Sequence, residues 1–548
     1  MAMGSRSSDA NRNPAWVRWL VPSIGDLLFV ALLGLLAFTN LSVRLLGDAG
    51  IGWHIRTGQL ILSTHAIPRA DPFSSSMSGQ PWFAWEWLYD TLAGWLDSAA
   101  GLNAVVLFTA VIIAAVFSWT FRLLVRQETN ILLALVLVLL AASAAMIHFF
   151  ARPHVVSWLF TVLWFWALES AEKESKSGWQ SSFLPWLLPP TMLVWVNVHG
   201  GFLVGFVLLA IYWFSAAEEW GRLYFKLTEG EFEEALQKIR TRRRLRTLTL
   251  AGILSAAMTV VNPYGFTLHI HIYRYLSNRF LMNHIDEFQS PNFHYVAQKC
   301  FAGLLMLTLV ALAAKKRKPS LSQLLVVFFA VYSGLYASRN IPVSSLLLIL
   351  IIGPSLSDAM ESLASRFGRR GATAEPPKPS HSSPFVLRMK AIELSLQGHI
   401  WPIAAFVFAC FVCAHGGNFG GTRLMDAHFD ARRFPAAAVN YLETHNVHGP
   451  LLSPDAWGGY LIYRLYPRIK VVIDDRHDFY GETFLNSYLK MIHLEPGWDD
   501  FLKQYEPACV IMPKDSALAN MLAETAGWQP IYSDDVARVF VRVRPAGR

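Results

Sequence analysis

Long apolar runs separated by short polar segments dominate the chain up to residue 415. Each run holds roughly 17–23 residues, which is long enough for a helix to cross a bilayer. About eleven such runs predict a polytopic α-helical membrane protein. They lie near residues 24–46, 103–125, 130–148, 154–170, 183–199, 200–218, 247–262, 299–314, 321–337, 341–358 and 399–415.

The pattern changes after the last of these runs. Apolar, β-rich pieces alternate there with amphipathic ones, which predicts a small α/β domain with a mainly parallel sheet. We therefore divide the chain into a transmembrane domain, 1–415, and a C-terminal domain, 416–548, and interpret the Pro/Ser-rich segment 359–398 as a linker. The predicted strands are 451–453, 470–474, 509–513, 530–532 and 537–543, and the predicted helices are 436–444, 482–492, 498–505 and 516–526.

Composition and charge placement agree with this division. Of the 548 residues, 53% are hydrophobic and only 16% are charged, and the mean hydropathy is +0.34. The net charge of +8 is concentrated in alternate loops. Because cytoplasmic loops carry the excess of Lys and Arg, we expect a cytoplasmic N-terminus and linker and an external C-terminal domain, and no nucleic-acid-binding surface. The basic segments are the N-terminal tail with Arg6, Arg12 and Arg18, then Arg122/Arg126, Lys173/Lys176, 238–246, 315–318 and 366–371.

The first external loop, residues 47–102, is rich in groups that can do chemistry. Asp48 follows the first apolar run directly, and it suits proton abstraction, metal binding or simple helix capping. Asp71 lies between two prolines, where it could serve chemistry or a turn, and Glu86 is a second acid or a helix cap. Trp53 and His54 are candidate substrate-binding residues in the same loop.

The other external loops and helix ends supply a second set of candidates. Arginine suits bidentate phosphate binding, although interfacial snorkelling gives the same pattern. Asn197 and His199 precede two glycines at a helix break, which at membrane depth is typical of a cavity lining. Glu287 lies in a long loop that serves either a substrate or solvent. The candidates for a phosphate are Arg152, His154, His199 and Arg339, and those for a substrate include Asn197 and Glu287.

Two loops of the C-terminal domain follow predicted strands. Trp457 comes after the first strand, and Asp474 and Asp475 end the second. Ligands of open α/β sheets bind at the carboxyl ends of strands, so we expect these residues to contact a substrate.

The chain resembles a bacterial family of GT-C-like membrane proteins in GWHIRTGQLIL, IPRADPFS, ARPH, WVNVHGGF, NPYG and WGGYLIYRLYPRIKVVIDDRHDFYG. An external carboxylate after the first helix, a long first loop and an external α/β domain are similar to GT-C-fold glycosyltransferases. That resemblance implies transfer of a sugar or glycan from a polyprenyl-phosphate donor, at the bacterial cytoplasmic membrane.

The segment SPDAWGGYLIYRLYPRIKVVIDDRHDF is also similar to the acceptor-recognition segment of oligosaccharyltransferases, WWDxG followed by an Asp. The likeness implies that residues 455–459 and Asp474/Asp475 lie over the membrane site. Trp457-Gly458-Gly459 lacks the second Trp and the central Asp of that motif. The second external loop also lacks the paired carboxylates of the fold, so a second acid comes from Asp71, Glu86 or Glu287. A divalent cation such as Mg²⁺ or Mn²⁺ stays open, with Asp48, Glu86 and Glu287 as candidate ligands.

These observations lead to the hypothesis of an inverting glycosyltransferase at the outer membrane face. Asp48 acts as base or anchor with Glu86 or Asp71, and the arginines and histidines hold the lipid phosphate. Its partners are the bilayer, a polyprenyl-phosphate sugar and an acceptor glycan, lipid or protein. The alternatives are a non-catalytic lipid-linked glycan binding or assembly protein, and a transporter that retains the same shell.

Overall fold

The computed structural model describes residues 15–177, 183–225, 232–314, 319–368, 384–396 and 398–543, and the fold is mostly helical. Outside these residues lie Arg6 and Arg12 of the basic tail, the predicted basic segment 315–318, the end of the segment 366–371 and most of the Pro/Ser-rich part of the linker. The α-helices are α1 (Ala15–Leu20), α2 (Ile24–Phe38), α3 (Leu41–Leu45), α4 (Ile51–Thr64), α5 (Trp87–Ala100), α6 (Leu102–Arg126), α7 (Ile131–Ala145), α8 (His154–Ser177), α9 (Leu188–Val196), α10 (Phe202–Phe225), α11 (Phe232–Met258), α12 (Thr267–Ser277), α13 (Arg279–His284), α14 (Val296–Ala313), α15 (Leu321–Tyr336), α16 (Ile341–Gly368), α17 (Pro384–Ser395), α18 (Ile400–Ala414), α19 (Ala436–Thr444), α20 (Asp455–Leu465), α21 (His477–Ile492), α22 (Asp499–Tyr505) and α23 (Ala517–Glu524). The strands are β1 (Asn418–Phe419), β2 (Thr422–Arg423), β3 (Leu451–Leu452), β4 (Cys509–Pro513), β5 (Trp528–Ser533) and β6 (Ala537–Arg542).

The protein is a multi-pass membrane protein, although fewer helices meet the requirements for a span than the sequence predicts. Within the described residues, six helices are long and apolar enough to cross a membrane, and a bent pair of helices brings the number to seven. The remaining predicted spans are also helical: two are shorter apolar helices, and α8 and α11 are long but less apolar. The six spans are Arg18–Phe38, Leu102–Arg126, Ile131–His148, Phe202–Phe225, Val296–Ala313 and Ser338–Leu363, and the bent pair is Arg388–Ser395 with Ile400–Ala414.

The chain folds into two compact units. One contains the described residues of 1–35, 110–148 and 290–411, and the other contains the described residues of 36–109, 149–289 and 412–548. In the first unit, part of the predicted linker is helical and forms α17. Glu393 on α17 accepts hydrogen bonds from the amides of Ile24 and Gly25 (2.8 and 3.1 Å) at the start of α2. A carboxylate satisfies the otherwise unpaired amides of a helix N-terminus, so this part of the segment is ordered.

Close helix packing organises the second unit. A Cβ added at Gly58 on α4 would lie 1.8 Å from the carbonyl oxygen of Asp90 on α5, and one at Gly94 would lie 2.5 Å from the backbone of α4. A side chain at either position would therefore separate the two helices. The same glycine contact brings His54 and Asp90, each one turn earlier on its helix, face to face.

The C-terminal part forms the small α/β region that the sequence predicts, but the sheet is mostly antiparallel. Its order is β3-β4-β6-β5, and only β3 and β4 are parallel. The prediction of a mainly parallel sheet is wrong because a short turn connects β5 to β6, with Asp534 accepting two amide hydrogen bonds in it. Residues 470–474 also form no strand; Val471 makes only single bridges, to Leu451 and Ser74.

Four of the predicted strands and all four predicted helices of this region have counterparts in the structure. Their apolar faces enclose one core, in which Phe484, Leu518, Val510 and Phe540 are buried. The residues after β3 do not form the predicted loop, since α20 begins at Asp455 directly.

Candidate functional site

One guanidinium group lies between two carboxylates at the start of α4. The Nη1 atom of Arg152 is 3.0 Å from Oδ2 of Asp48 and 3.8 Å from Oδ2 of Asp475. Asp48 also accepts the amide of Gly50 (2.8 Å), and Asp475 accepts the indole N–H of Trp53 (3.0 Å). Residues from three distant parts of the sequence therefore meet in one cluster, the Asp48–Arg152–Asp475 triad.

Three glycines make this meeting possible. Gly459 on α20 lies against α4, because a Cβ added there would be 2.2 Å from the carbonyl oxygen of Ala49. Gly458 lies against the backbone of Asp474 (2.4 Å to Cα) in the same way. At Gly50, an added Cβ would lie 2.5 Å from Oδ2 of Asp475 and 3.1 Å from Cζ of Arg152. The consecutive glycines Gly458 and Gly459 of α20 thus allow Asp474 and Asp475 to lie close to the start of α4.

Asp475 is the titratable member of the triad. The pKa of its carboxyl is raised to about 7, and the largest cause of this rise is burial, which the positive charge of Arg152 opposes. The negative charges of Asp48 and Asp474 contribute to the same rise. A carboxyl group with such a pKa can both take up and release a proton near neutral pH.

A second polar cluster lies beside the triad on α4 and α5. Nδ1 of His54 and Oδ1 of Asp90 are 2.6 Å apart, and both side chains are fully buried. Burial lowers the pKa of His54 and raises that of Asp90, so it favours the neutral form of each side chain. Nε2 of His54 and Oδ2 of Asp90 have no hydrogen-bond partner among the described residues.

Glu86 lies between two imidazoles. Its carboxylate oxygens are 3.8 Å from Nε2 of His54 and 3.8 Å from Nε2 of His199. The amide of Gly201 donates to Nδ1 of His199 (3.0 Å), so the neutral imidazole carries its proton on Nε2, the atom directed at Glu86. The hydroxyl of Ser157, also at Nδ1 (2.8 Å), fixes the ring.

The helix break before His199 positions the start of α5. Asn197 accepts the indole N–H of Trp87 (2.8 Å), and its own amide group donates to the carbonyl oxygens of Leu193 and Val261. Its backbone carbonyl accepts the amide of Leu88 (3.2 Å). The predicted substrate residue Asn197 therefore holds the segment that carries Glu86.

Asp71 and Asp474 form a separate buried cluster around Arg476. Nη2 of Arg476 is 2.9 Å from Asp71 and 2.7 Å from Asp474, and its side chain is 2% exposed. The guanidinium also lies 4.6 Å from the ring centre of Trp82. Asp71 also accepts hydrogen bonds from the amides of Phe73 and Ser74. Because Asp71 pairs with Arg476, the first loop is bound here to the C-terminal part of the chain.

The remaining predicted residues lie in different places. Trp457 is buried and donates to the carbonyl oxygen of Arg433 (3.0 Å). His154 stands near His199, with ring centres 6.4 Å apart. Burial by itself lowers the pKa of Arg152, but the charges of Asp48, Asp475 and Glu287 raise it by more. Arg339 lies in the other compact unit, in a 3₁₀ turn just before α16, and its role stays a prediction.

The divalent cation that the sequence leaves open stays a prediction. Among the described residues, no group of three or more His, Cys, Asp or Glu side chains is arranged to hold a metal. Of the candidate ligands, Asp48 is bound to Arg152, and Glu86 faces two imidazoles. The positive charge beside Asp48 and Asp475 is a guanidinium.

Sequence reasoning missed Asp90, Arg476 and Ser157. Asp90 follows Glu86 by four residues, and that spacing places both acids on one face at the start of a helix, so it was a usable signal. Arg476 closely follows the predicted strand 470–474, but its partner Asp71 is distant along the chain, as are the partners of Ser157, so the sequence does not reveal these contacts.

No protein-family model matches the chain, and no curated protein matches it. Among solved structures, the archaeal oligosaccharyltransferase AglB from Archaeoglobus fulgidus, in complex with an inhibitory peptide and a dolichol-phosphate, aligns with a TM-score of 0.51. Identity is 12%, over 90% of this chain and 69% of that chain. Two more structures of the Archaeoglobus fulgidus oligosaccharyltransferase, one tethered with an acceptor peptide containing the NVT sequon and one with Zn and sulfate, align with TM-scores of 0.49 and 0.48. Their identities are 12% and 13%, over 95% and 90% of this chain and 73% and 67% of theirs. At such identities the likeness is one of fold, and it confirms the predicted distant similarity to GT-C-fold oligosaccharyltransferases.

Proposed function

We propose that this protein is a glycosyltransferase of the cytoplasmic membrane of bacteria. It transfers a sugar or glycan from a polyprenyl-phosphate donor to an acceptor at the outer face, where the C-terminal domain lies. The fold similarity supports the class of reaction, and the Asp48–Arg152–Asp475 triad supports the site.

The observation that carries the proposal is a carboxyl group of pKa about 7 next to a guanidinium. In the reaction, the acceptor O–H or N–H proton passes to Asp475, the acceptor atom bonds to the anomeric carbon, and the bond from that carbon to the phosphate oxygen breaks. Protonation removes one of the two negative charges facing Arg152 just as the leaving phosphate gains one. The guanidinium then stabilises the departing phosphate.

The other residues have supporting roles in this proposal. Asp48 anchors Arg152, and Glu86, which lies between the imidazoles of His54 and His199, binds a sugar hydroxyl. Asp71 holds the first loop in place through Arg476. No step uses a metal ion, because the donor set beside Asp48 is already paired with Arg152.

The direct experiment compares cell-envelope glycans and lipid-linked sugars by mass spectrometry with and without the protein. We expect a polyprenyl-phosphate sugar to accumulate in its absence and purified protein to release polyprenyl phosphate from that sugar. Asp475→Asn should reduce release by at least about 100-fold, since positioned proton transfer contributes about 10²–10⁴-fold. Asp48→Asn should also reduce release, because it removes the carboxylate that anchors Arg152. Asp500→Asn, at an exposed carboxylate of α22, is the matched control. Full release by Asp475→Asn would refute the assigned base.

A second candidate is a non-catalytic protein that binds a lipid-linked glycan. The observation that favours it is that both oxygens of Asp48 are already engaged, by Arg152 and by the amide of Gly50. It predicts binding of the accumulated lipid-linked sugar without any release of polyprenyl phosphate.

A further inference from the structure

A cavity of about 520 Å³ lies directly beyond the end of the first membrane span. The span ends at Phe38, and the cavity is lined by Asn40 and Arg44, which follow it within two turns of chain. The opposite wall is the segment His428–Arg433. Because Asn40 and Arg44 follow the end of a membrane span so closely in the chain, we expect this opening near the membrane surface.

Three arginines line the cavity against a single carboxylate. Arg432 is paired with that carboxylate, Asp430, through two hydrogen bonds of 3.1 and 3.0 Å. No ion pair of Arg44 or Arg433 is found among the described residues, and both side chains are exposed to the opening. Two guanidinium groups are therefore available to an anion.

The position of Arg433 is fixed by the protein. Its carbonyl oxygen accepts the indole N–H of Trp457 (3.0 Å), and its amide donates to the carbonyl oxygen of Asp430 (2.9 Å). The next residue, Phe434, is buried against the ring of Tyr460, with centres 5.2 Å apart. A fixed backbone lowers the entropy that a ligand must overcome when it orders the side chain.

The cavity is next to the triad but separate from it. Nη1 of Arg433 would lie 3.6 Å from a Cβ added at Gly47, the residue before Asp48. Arg152 faces the carboxylates of the triad, whereas Arg44 and Arg433 face the cavity. The protein therefore has two neighbouring cationic sites, Arg152 in the triad and Arg44 with Arg433 in the cavity, and each can bind a separate anionic group.

We propose that the Arg44–Arg433 cavity binds the phosphate of a membrane lipid head group. Guanidinium groups bind phosphate oxygens in bidentate fashion, and an opening at the membrane surface gives access to a head group whose chains remain in the bilayer. The lipid is either a polyprenyl phosphate or an acidic phospholipid, which share this chemistry. The inference does not depend on glycosyl transfer, since it concerns binding at residues outside the triad.

The test is native mass spectrometry of the full-length protein in detergent with polyprenyl phosphate, phosphatidylglycerol or inorganic phosphate added. The test variant is Arg44→Gln/Arg433→Gln. The control is Arg468→Gln/Arg542→Gln, which removes the same charge from exposed arginines that do not line the cavity.

We expect the test variant to bind lipid phosphate at least about tenfold more weakly, because each charge-assisted hydrogen bond that is lost weakens binding by about tenfold or more. The control should bind like the wild type. A loss confined to polyprenyl phosphate, or to phosphatidylglycerol, supports the proposal and identifies the lipid. Unchanged binding of both lipids, an equal loss in the control, or displacement of both by an equal concentration of inorganic phosphate would overturn it.

Discussion

Replacing Arg152 by glutamine removes the positive charge that Asp48 and Asp475 share. A nearby cation favours the ionised form of a carboxyl group, so its loss should raise the pKa of Asp475 further above about 7. Asp48→Asn removes a negative charge instead, and it should lower the same pKa. The two substitutions are thus expected to shift the pKa of Asp475 in opposite directions.

The magnitude follows from the distance of 3.8 Å between Nη1 of Arg152 and Oδ2 of Asp475. Two unit charges at that distance interact by about 4 kcal/mol at an effective dielectric constant of about 20, equivalent to about 3 pH units. The side chains are 25% and 15% exposed, so solvent screening reduces the expected rise to about 1–2 pH units.

Infrared difference spectroscopy of the purified protein measures this directly. The protonated carboxyl C=O band of Asp475 is isolated by subtracting the spectrum of Asp475→Asn, and it is followed from pH 4 to pH 10 in the wild type, Arg152→Gln and Asp48→Asn. Midpoints that move in the same direction in the two variants, or that do not move in Arg152→Gln, would refute the electrostatic account of the triad.

Three further predictions concern activity and stability. Gly50→Ala adds a methyl group 2.5 Å from Oδ2 of Asp475 and should reduce sugar transfer about 100-fold through a shift of about 1 Å. Gly221→Ala, with no atom within 4 Å of the new Cβ, should not reduce it. Asp475→Asn should raise stability at pH 8 by about 2 kcal/mol. The folded state binds its proton with the higher pKa, so wild-type stability falls as the pH rises from about 4 through about 7. Asp71→Asn should lower stability by about 3 kcal/mol, because it removes a partner of the buried Arg476.

Thermal unfolding and transfer assays on the same preparations check these three. Equal activity of Gly50→Ala and Gly221→Ala would contradict the close packing of the triad. A melting temperature of Asp475→Asn that matches the wild type at both pH 5 and pH 8 would show that the carboxyl has no raised pKa. Wild-type stability of Asp71→Asn, with Asp500→Asn as the surface control, would show that Arg476 does not need this partner.

Much of the fold follows from local pattern. Apolar runs of membrane length are helical in the structure because a span must satisfy its own backbone hydrogen bonds. In the C-terminal part, alternation and amphipathicity place β4, β6 and α19 correctly. Strand direction cannot be predicted from local pattern, because it depends on which strands become neighbours. Here the short turn between β5 and β6 pairs them in antiparallel fashion.

The site divides in the same way. Sequence alone marks Asp48, Glu86 and Arg152 as candidates, because polar groups next to membrane helices are costly and rarely accidental. It marks Asp475 because this residue follows a predicted strand. Only the tertiary structure pairs Asp48 with Arg152 and gives Asp475 its pKa near 7, since both depend on burial and on residues more than a hundred positions apart. It also places Asp71 on Arg476 and reveals a basic cavity in which Arg44 meets Arg433. A linear pattern records which groups a chain carries, whereas their charges and partners are set by the distances that folding creates.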